Sequence, residues 1–300
     1  VAMGVVQYPS LAMAWCKRRL KATWPLIACE HCHVTKSLED PEVHKFPFRQ
    51  YYQLRFPTVY NRDCARVLVL TESCGQDLIE NYDVAKEKII CIPNPIDIEQ
   101  IQKSALHPVE HPFLDSGSPV ILGVGRLSWQ KGFHYLIDAF SKLITSRPDA
   151  RLIILGEGPL RKDLTSQISQ LGLHKVVSMP GATDRVWSYM ARARMLVMSS
   201  EWEGLPMAML EAIPLHTPVV SFDFLAGPQE ILDGGRGGLV VPHGDTSALC
   251  QGMLSVLQDP QAAKRRVEHA YKTRGRYEIG SICEQYGRLV EEVWSKSQRS

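Results

Sequence analysis

The sequence predicts an α/β chain of two successive Rossmann-like halves, each a parallel sheet wound with helices. Three observations carry this. Short apolar runs alternate with stretches of good helix formers along the whole chain. Several of the runs in the second half close on glycines, as strands do where an open sheet turns toward a ligand. Residues 104–119 hold three prolines, two acidic residues and two histidines with little apolar content, which reads as a linker. The expected domains are therefore 1–108 and 109–300, the second ending in helices of which the last crosses back.

The elements follow in order. Residues 1–8 are an apolar run of strand character, and Ser10 is placed to cap a helix that ends in Lys17-Arg18-Arg19, cations suited to the negative end of a helix dipole. Strands are expected at 25–29, 65–70 and 88–92, with a helix opening at Thr71-Glu72-Ser73 and running to about Asn81. Residues 40–62 mix proline, aromatics and cations without a clear period and read as a loop with one helix. Beyond the linker the alternation is cleaner. Strands are expected at 120–124, 151–155, 175–179, 195–198, 218–222 and 238–242. Helices are expected at 132–146, 160–171 and 184–193, from about Leu205, at 228–232, at 246–257 and through most of 260–300. The first half offers about four strands where a Rossmann-like domain has about six, and the Gly-rich first turn is absent, so this half reads as truncated at its N-terminal side.

Composition narrows the function. A 45% hydrophobic content supports an ordinary core, and 22% charged residues argue against disorder. A net charge of +2 gives no reason to expect a nucleic-acid partner. No apolar run approaches the ~20 residues that span a bilayer, and no signal peptide is recognisable. Eight cysteines are scattered, with Cys29-x-x-Cys32 the one close pair; a zinc site usually needs a second, so reduced thiols in a cytoplasmic protein and a metal-free site are expected.

Two stretches carry chemistry. Val120 to Gly132 is an apolar strand that ends in glycines and then presents Arg126 and Lys131, cations that with backbone N–H groups can neutralise a diphosphate without a metal. The same residues also suit a solvated loop. Ser199 to Ala212 follows a buried strand and opens a helix, with Glu203 and Glu211 eight apart. With a helix from Leu205, Glu203 lies at its mouth and Glu211 about two turns in, roughly 9 Å deeper. That spacing suits a ligand with two polyol groups, such as a nucleotide sugar. In the plainer reading Glu203 favours the helix dipole and Glu211 is a solvated charge.

Gly125-Arg126-Leu127, then Lys131-Gly132, then Glu203-x7-Glu211 about seventy residues on, resembles the donor half of a family-4 retaining glycosyltransferase of the GT-B fold. The resemblance implies two Rossmann-like domains facing a cleft, an acceptor-side domain over 1–108 and a donor domain over 109–300. It implies that Arg126 and Lys131 grip the donor diphosphate beside Gly125, and that Leu127 to Gln130 line the cleft. Glu203 would bind donor-sugar hydroxyls, and Glu211 the ribose. The backbone amides of Gly204, Leu205, Met207 and Ala208 would meet sugar or phosphate oxygens. Pro206 departs from the glycine often found there and removes one donor, though its φ suits a first turn. The base would sit between Gly156-Glu157-Gly158 and Met179-Pro180-Gly181. Glu230 in Gly227-Pro228-Gln229-Glu230 would lie near the sugar, although Ala226 replaces a glycine common in the family. His31, preferred over His33, would contact the donor.

The implied function is metal-independent transfer of a hexosyl or N-acetylhexosaminyl group, with retention. The donor is a nucleotide diphosphate sugar, by the family's habit a UDP-sugar, and no cofactor is needed. The acceptor is a hydroxyl of a glycan or lipid-linked acceptor in polysaccharide or cell-envelope synthesis. The alternative is a sugar-nucleotide-binding module without turnover. A nicotinamide oxidoreductase is disfavoured because no Gly-x-Gly-x-x-Gly opens either half. Lys17, Arg18, Arg19 and Lys21, with the aromatic and basic stretch Tyr51 to Phe56, suit either a solvated face or peripheral contact with an anionic membrane.

Overall fold

A computed structural model describes residues 1–40 and 49–299. The chain divides into two compact units: Val1–Pro95 with Trp202–Leu205 and Ile279–Ser300, and Ile96–Glu201 with Pro206–Glu278. Each is built on a parallel sheet with helical crossovers.

The first unit runs β1 (Ala2–Val5), α1 (Gln7–Arg19), β2 (Leu26–Glu30), α2 (Val34–Glu39), α3 (Arg49–Asp63), β3 (Cys64–Val69), α4 (Glu72–Tyr82) and β4 (Ile89–Cys91), in sheet order β1-β2-β3-β4. All five residues of β2 are buried, as a parallel strand covered on both faces requires. Phe56 and Tyr60 of α3 pack into this core with Tyr82, ring centroids 5.3 and 4.8 Å from Phe56. Tyr60 donates a hydrogen bond to the buried Glu30 carboxylate. The helix after β1 begins earlier than Ser10. Val6, at φ +61°, turns the chain, and the Ser10 hydroxyl donates to the carbonyls of Gly4 (2.9 Å) and Val6 (2.8 Å) from inside the first turn. The one helix expected within 40–62 is α3, which takes up 49–63, more of that stretch than a loop with one helix suggests, and carries Pro57 inside it. The part of that expected loop at 41–48 lies outside the described residues, as do the side chains of Tyr51 to Leu54.

The second unit runs α5 (Ile98–Ala105), α6 (Pro112–Asp115), β5 (Val120–Val124), α7 (Phe133–Ser146), β6 (Arg151–Leu155), α8 (Arg161–Gln170), β7 (Val177–Gly181), α9 (Val186–Arg192), β8 (Met195–Met198), α10 (Met207–Ala212), β9 (Val219–Phe222), α11 (Pro228–Ile231), β10 (Leu239–Val241), α12 (Thr246–Gln258) and α13 (Pro260–Thr273). A final helix, α14 (Ile279–Ser297), buries Ile282, Leu289 and Val293 and belongs to the first unit, where its Glu292 pairs with Arg66. The second sheet has the order β10-β9-β8-β5-β6-β7, the doubly wound arrangement in which the winding direction reverses between β5 and β8.

The stretch 104–119 does not behave as a linker. The units divide earlier, at Pro95/Ile96, and α5 lies in the second, with Ser188 donating to the carbonyl of Ser104. Arg192 donates to the carbonyls of Val109 (2.6 Å) and Leu114 (3.2 Å) and pairs with Asp115, and His111 meets Ser178 at 3.1 Å. Its prolines and polar residues satisfy a short packed helix and its flanks, which composition alone does not distinguish from an open linker.

Candidate functional site

Open α/β sheets bind ligands beyond the carboxyl ends of their strands, at the point where the winding reverses. In the second unit the loop from Gly125 to Gly132 leaves β5 at that point. It is held against the β6 loop by Gly125 N–H to Leu155 O (3.0 Å), Leu127 N–H to Glu157 O (2.9 Å) and Leu160 N–H to Leu127 O (2.9 Å). The backbones touch so closely that only glycine fits. A Cβ on Gly156, at φ +140°, would stand 1.9 Å from the carbonyl oxygen of Gly125, and one on Gly158 2.4 Å from that of Leu127. On its other flank the loop is tied to the chain after β8: Ser199 Oγ donates to Lys131 O (3.1 Å) and Glu201 N–H to Gln130 O (2.8 Å). The aliphatic stem of Lys131 lies across Gly125, 3.0 to 3.1 Å from where a Cβ would be. Arg126 is exposed and Lys131 half-buried. Leu127 and Ser128 are buried, so they support the loop from beneath, and its outer face is left to Trp129 and Gln130.

The turns that close β6 and β7 are joined beside it. Gly156 N–H bonds Gly181 O at 2.9 Å. Arg161, one turn beyond Glu157, holds that carboxylate at 2.6 and 2.7 Å and donates to Met179 O at 3.2 Å. That guanidinium keeps the Glu157 carboxyl below its ordinary range. Sequence reasoning misses Arg161, although its (i, i+4) spacing from Glu157 is a visible signal.

On the far side of the reversal, α10 starts at Met207, two residues later than the sequence suggests. Pro206 is its N-cap, its carbonyl accepting from Met209 N–H at 3.0 Å, with Met207 and Ala208 as the first helical residues. Glu211 is therefore about one turn in, roughly 6 Å along the axis, rather than two. It is half-buried, and burial pushes its carboxyl above the ordinary range, opposed by a hydrogen bond from Trp187 of α9. Glu230 lies in the first turn of α11, where its carbonyl accepts from Arg276 at 2.6 Å. Gly227, at φ +126°, packs where a Cβ would meet the Pro206 ring at 2.5 Å, and Ala226 before it holds φ +68°. Nearby, Glu201 faces His243 at 3.3 Å and accepts from Tyr135, raising the Tyr135 hydroxyl after burial has done most of that work. No spacing in the sequence announces that trio.

His31, Glu203, Gly204 and Leu205 are found in the first unit. Gly204 lies against the end of β2, where a Cβ would fall 1.8 Å from the carbonyl oxygen of His31. Its own carbonyl accepts from Thr71 Oγ1 at 3.4 Å. Glu203 is buried. His33 is committed structurally: it caps α2 through Lys36 N–H (3.5 Å) and faces the buried Asp77 carboxylate at 3.3 Å. Burial lowers the pKa of the half-buried His31 imidazole, which is neutral at neutral pH.

The second unit thus gathers Gly125, Arg126, Lys131, Gly156 and Met179 on three joined loops, and carries Met207, Ala208, Glu211 and Glu230 beyond β8 and β9. Among the described residues no cluster of His, Cys, Asp and Glu is arranged to hold a metal ion. The raised Glu211 carboxyl has a consequence for stability. A carboxyl raised in the fold contributes stability that is present below its unfolded pKa and is lost as pH rises through the folded one. In the absence of ligand, Glu211→Gln is expected to match the parent in Tm at acid pH and to exceed it increasingly toward neutrality. A Tm difference that is flat with pH would contradict this.

A family model described as "Glycosyl transferases group 1" matches residues 109–273, and one described as "Glycosyltransferase Family 4" matches residues 5–100. The chain is 33% identical over 168 residues to an uncharacterized glycosyltransferase of Methanocaldococcus jannaschii, covering 55% of this chain and 41% of that one. It is 30% identical over 211 residues to an N-acetylgalactosamine-N,N'-diacetylbacillosaminyl-diphospho-undecaprenol 4-alpha-N-acetylgalactosaminyltransferase of Campylobacter jejuni, covering 70% and 54%. The chain thus spans about half the length of these curated relatives. Among solved structures, Anabaena HepE in complex with UDP has a TM-score of 0.81 at 20% identity, covering 97% of this chain and 79% of that one. Sucrose-phosphate synthase of Thermosynechococcus elongatus has a TM-score of 0.80 at 18% identity, covering 98% and 73%. These likenesses fix the fold as GT-B.

Proposed function

We propose, because this chain belongs to the group 1 glycosyl transferases, that it moves a hexosyl or N-acetylhexosaminyl group from a UDP-sugar to a hydroxyl, with retention and without a metal. The acceptor is a glycan or a lipid-linked acceptor in polysaccharide or cell-envelope synthesis, reached on the cytoplasmic side of a membrane. The observation that carries the reading is the glycine-packed loop Gly125–Gly132, which holds Arg126 and Lys131 where the winding of the second sheet reverses. The UDP in the HepE neighbour and the diphospho-undecaprenol in the Campylobacter relative's name support the choice of donor and acceptor.

Chemically, the leaving group is a nucleoside diphosphate whose charge grows as the glycosidic bond breaks. Two cations beside it, Lys131 held over Gly125 and the more exposed Arg126, favour that transition state over the ground state. Glu211 takes the ribose hydroxyls, Glu203 and Glu230 the sugar, and His31, neutral, hydrogen-bonds the donor. Double displacement needs a carboxylate nucleophile with a partner acid about 5 Å away. Both conspicuous glutamates are assigned to other parts of the donor. Retention is therefore best explained by attack from the same face, with the departing phosphate as base for the acceptor hydroxyl.

Thermal-shift titration with nucleoside diphosphates and their sugars tests this. A ligand at about a hundred times its Kd stabilises by about 2.7 kcal/mol. UDP and one UDP-sugar are expected to raise Tm by several degrees, without added metal and unchanged by a chelator. Indifference to every nucleotide at millimolar concentration would end the reading. A second reading is donor binding without transfer, for which the observation is that, among the described residues, the ligand-side loops Gly125–Gly132 and Gly156–Gly158 lie together in the second unit alone. Stabilisation by UDP-sugar with no UDP released in the presence of any acceptor would select it.

A further inference from the structure

On the first unit, α1 and α3 flank an open groove of about 770 Å3. Among the ten described residues that line it, five are cations, Arg18, Arg19, Lys21, Arg55 and Arg62, and none is acidic. Large apolar groups are exposed here too: Trp15, which lines the groove, is 62% accessible, and Leu20, the C-cap of α1 between the lining residues Arg19 and Lys21, is 72% accessible. A neighbouring hollow of about 530 Å3 shares Arg62 and adds Lys17, Arg66 and Lys296, with Asp63 as the one acid among its described lining residues. That acid is engaged by Arg18 at 3.6 Å and Arg62 at 3.4 Å. Trp294, half exposed, stands on α14 beside Val293, which lines this second hollow. Basic residues therefore continue across two adjoining concavities, in a chain whose net charge is only +2.

Water solvates Arg and Lys well but gains nothing from an exposed tryptophan and leucine among them. A partner made of phosphates alone matches the cations and leaves the apolar groups exposed. A lipid headgroup layer takes both, with phosphates for the guanidinium groups and an amphipathic boundary where indole rings lie favourably. We propose that the α1–α3 face is an anionic-lipid docking surface, on which Trp15 and Leu20 enter the headgroup layer while Arg19, Lys21 and Arg55 meet lipid phosphates. Docking of this kind gives a purpose to the lipid-linked acceptor reading, on which that purpose rests. The docking itself needs no transfer chemistry.

The test is flotation of the full chain with vesicles of phosphatidylcholine mixed with phosphatidylglycerol, and of phosphatidylcholine alone. Binding is expected to require phosphatidylglycerol, to weaken with salt, and to shift tryptophan emission to the blue in a Trp15-dependent way. At about fivefold per cation near an anionic surface, the double variant Arg19→Ser/Lys21→Ser is expected to bind about thirtyfold more weakly. Trp15→Ser is expected to lose the emission shift. Binding equal on both vesicles, no binding at all, or variants that bind like the parent would overturn the proposal. A dimer or an RNA-oligonucleotide complex abolished by the same variants, with no vesicle binding, would assign the face to that occupant instead. The UDP-induced Tm rise, measured on the same samples, separates the two readings. Vesicle binding with neither it nor a Tm rise from any other nucleoside diphosphate removes the transferase, and such a rise without vesicle binding removes only the docking surface.

Discussion

Lys131→Ala is expected to lower kcat/KM about a thousandfold, equivalent to roughly 4 kcal/mol of transition-state stabilisation. Two constraints fix this residue in place, since its stem crosses Gly125 and its backbone carbonyl is tied to Ser199. On the proposed function, a charge so placed would act on a leaving diphosphate without having to reorganise. Arg126→Ala is expected to show a smaller loss, because an exposed guanidinium is screened by water. Tm should change little for the exposed Arg126, and only modestly for Lys131, where the packed stem over Gly125 is lost but no buried core side chain is. Initial rates with donor at saturating and at limiting concentration decide the matter. A loss below about threefold would class Lys131 with ordinary surface cations.

Gly156→Ala is expected to be the most damaging small substitution in the second unit. Two penalties combine there. The residue sits at φ +140°, which an L side chain rarely adopts, and the added Cβ would press on the Gly125 carbonyl at 1.9 Å, with backbone on both sides of the contact. Roughly 4 kcal/mol of destabilisation is expected, about a 10 °C fall in Tm. UDP stabilisation should be lost in parallel, since the β5 loop can no longer rest on the β6 loop. Gly172→Ala is the control. It has a positive φ of 68° but nothing within 4 Å of the new Cβ, so backbone strain alone should cost only about 1 kcal/mol. Equal Tm losses in the two variants would show that crowding against Gly125 contributes nothing.

How much of the fold is legible in the sequence depends on the range of the forces involved. The strands at 120–124, 151–155 and 195–198 stand where their apolar runs lie, because a strand buried on both faces must be apolar throughout. Capping is readable at Thr71, whose hydroxyl accepts from Cys74 N–H at 3.3 Å, but not at Ser10. There the left-handed turn at Val6 starts the helix earlier. The start of α10 is not readable, because Pro206 favours a first helical turn in general yet here lies at ψ 87°, before the helix. The packed state of 104–119 rests on Arg192 and Ser178, more than sixty residues away in sequence, beyond the reach of any local pattern. The candidate residues Arg126, Lys131 and Glu211 can be named from their motifs. Arg161, which steadies the neighbouring Met179 carbonyl, shows in the sequence only through its (i, i+4) spacing from Glu157, and Trp187, which bonds the Glu211 carboxylate, is set by the fold with no motif pointing to it.

The return of α14 to the first unit bears on how the chain is made. Every segment of the second unit has left the ribosome once Glu278 has emerged, so that unit can finish folding during translation. The first begins earlier and must wait, its core open at the place Ile282, Leu289 and Val293 will fill, until α14 has emerged in turn. A chain stalled between Glu278 and the end of α14 would therefore hold a later-made unit that is sound and an earlier-made one that is not.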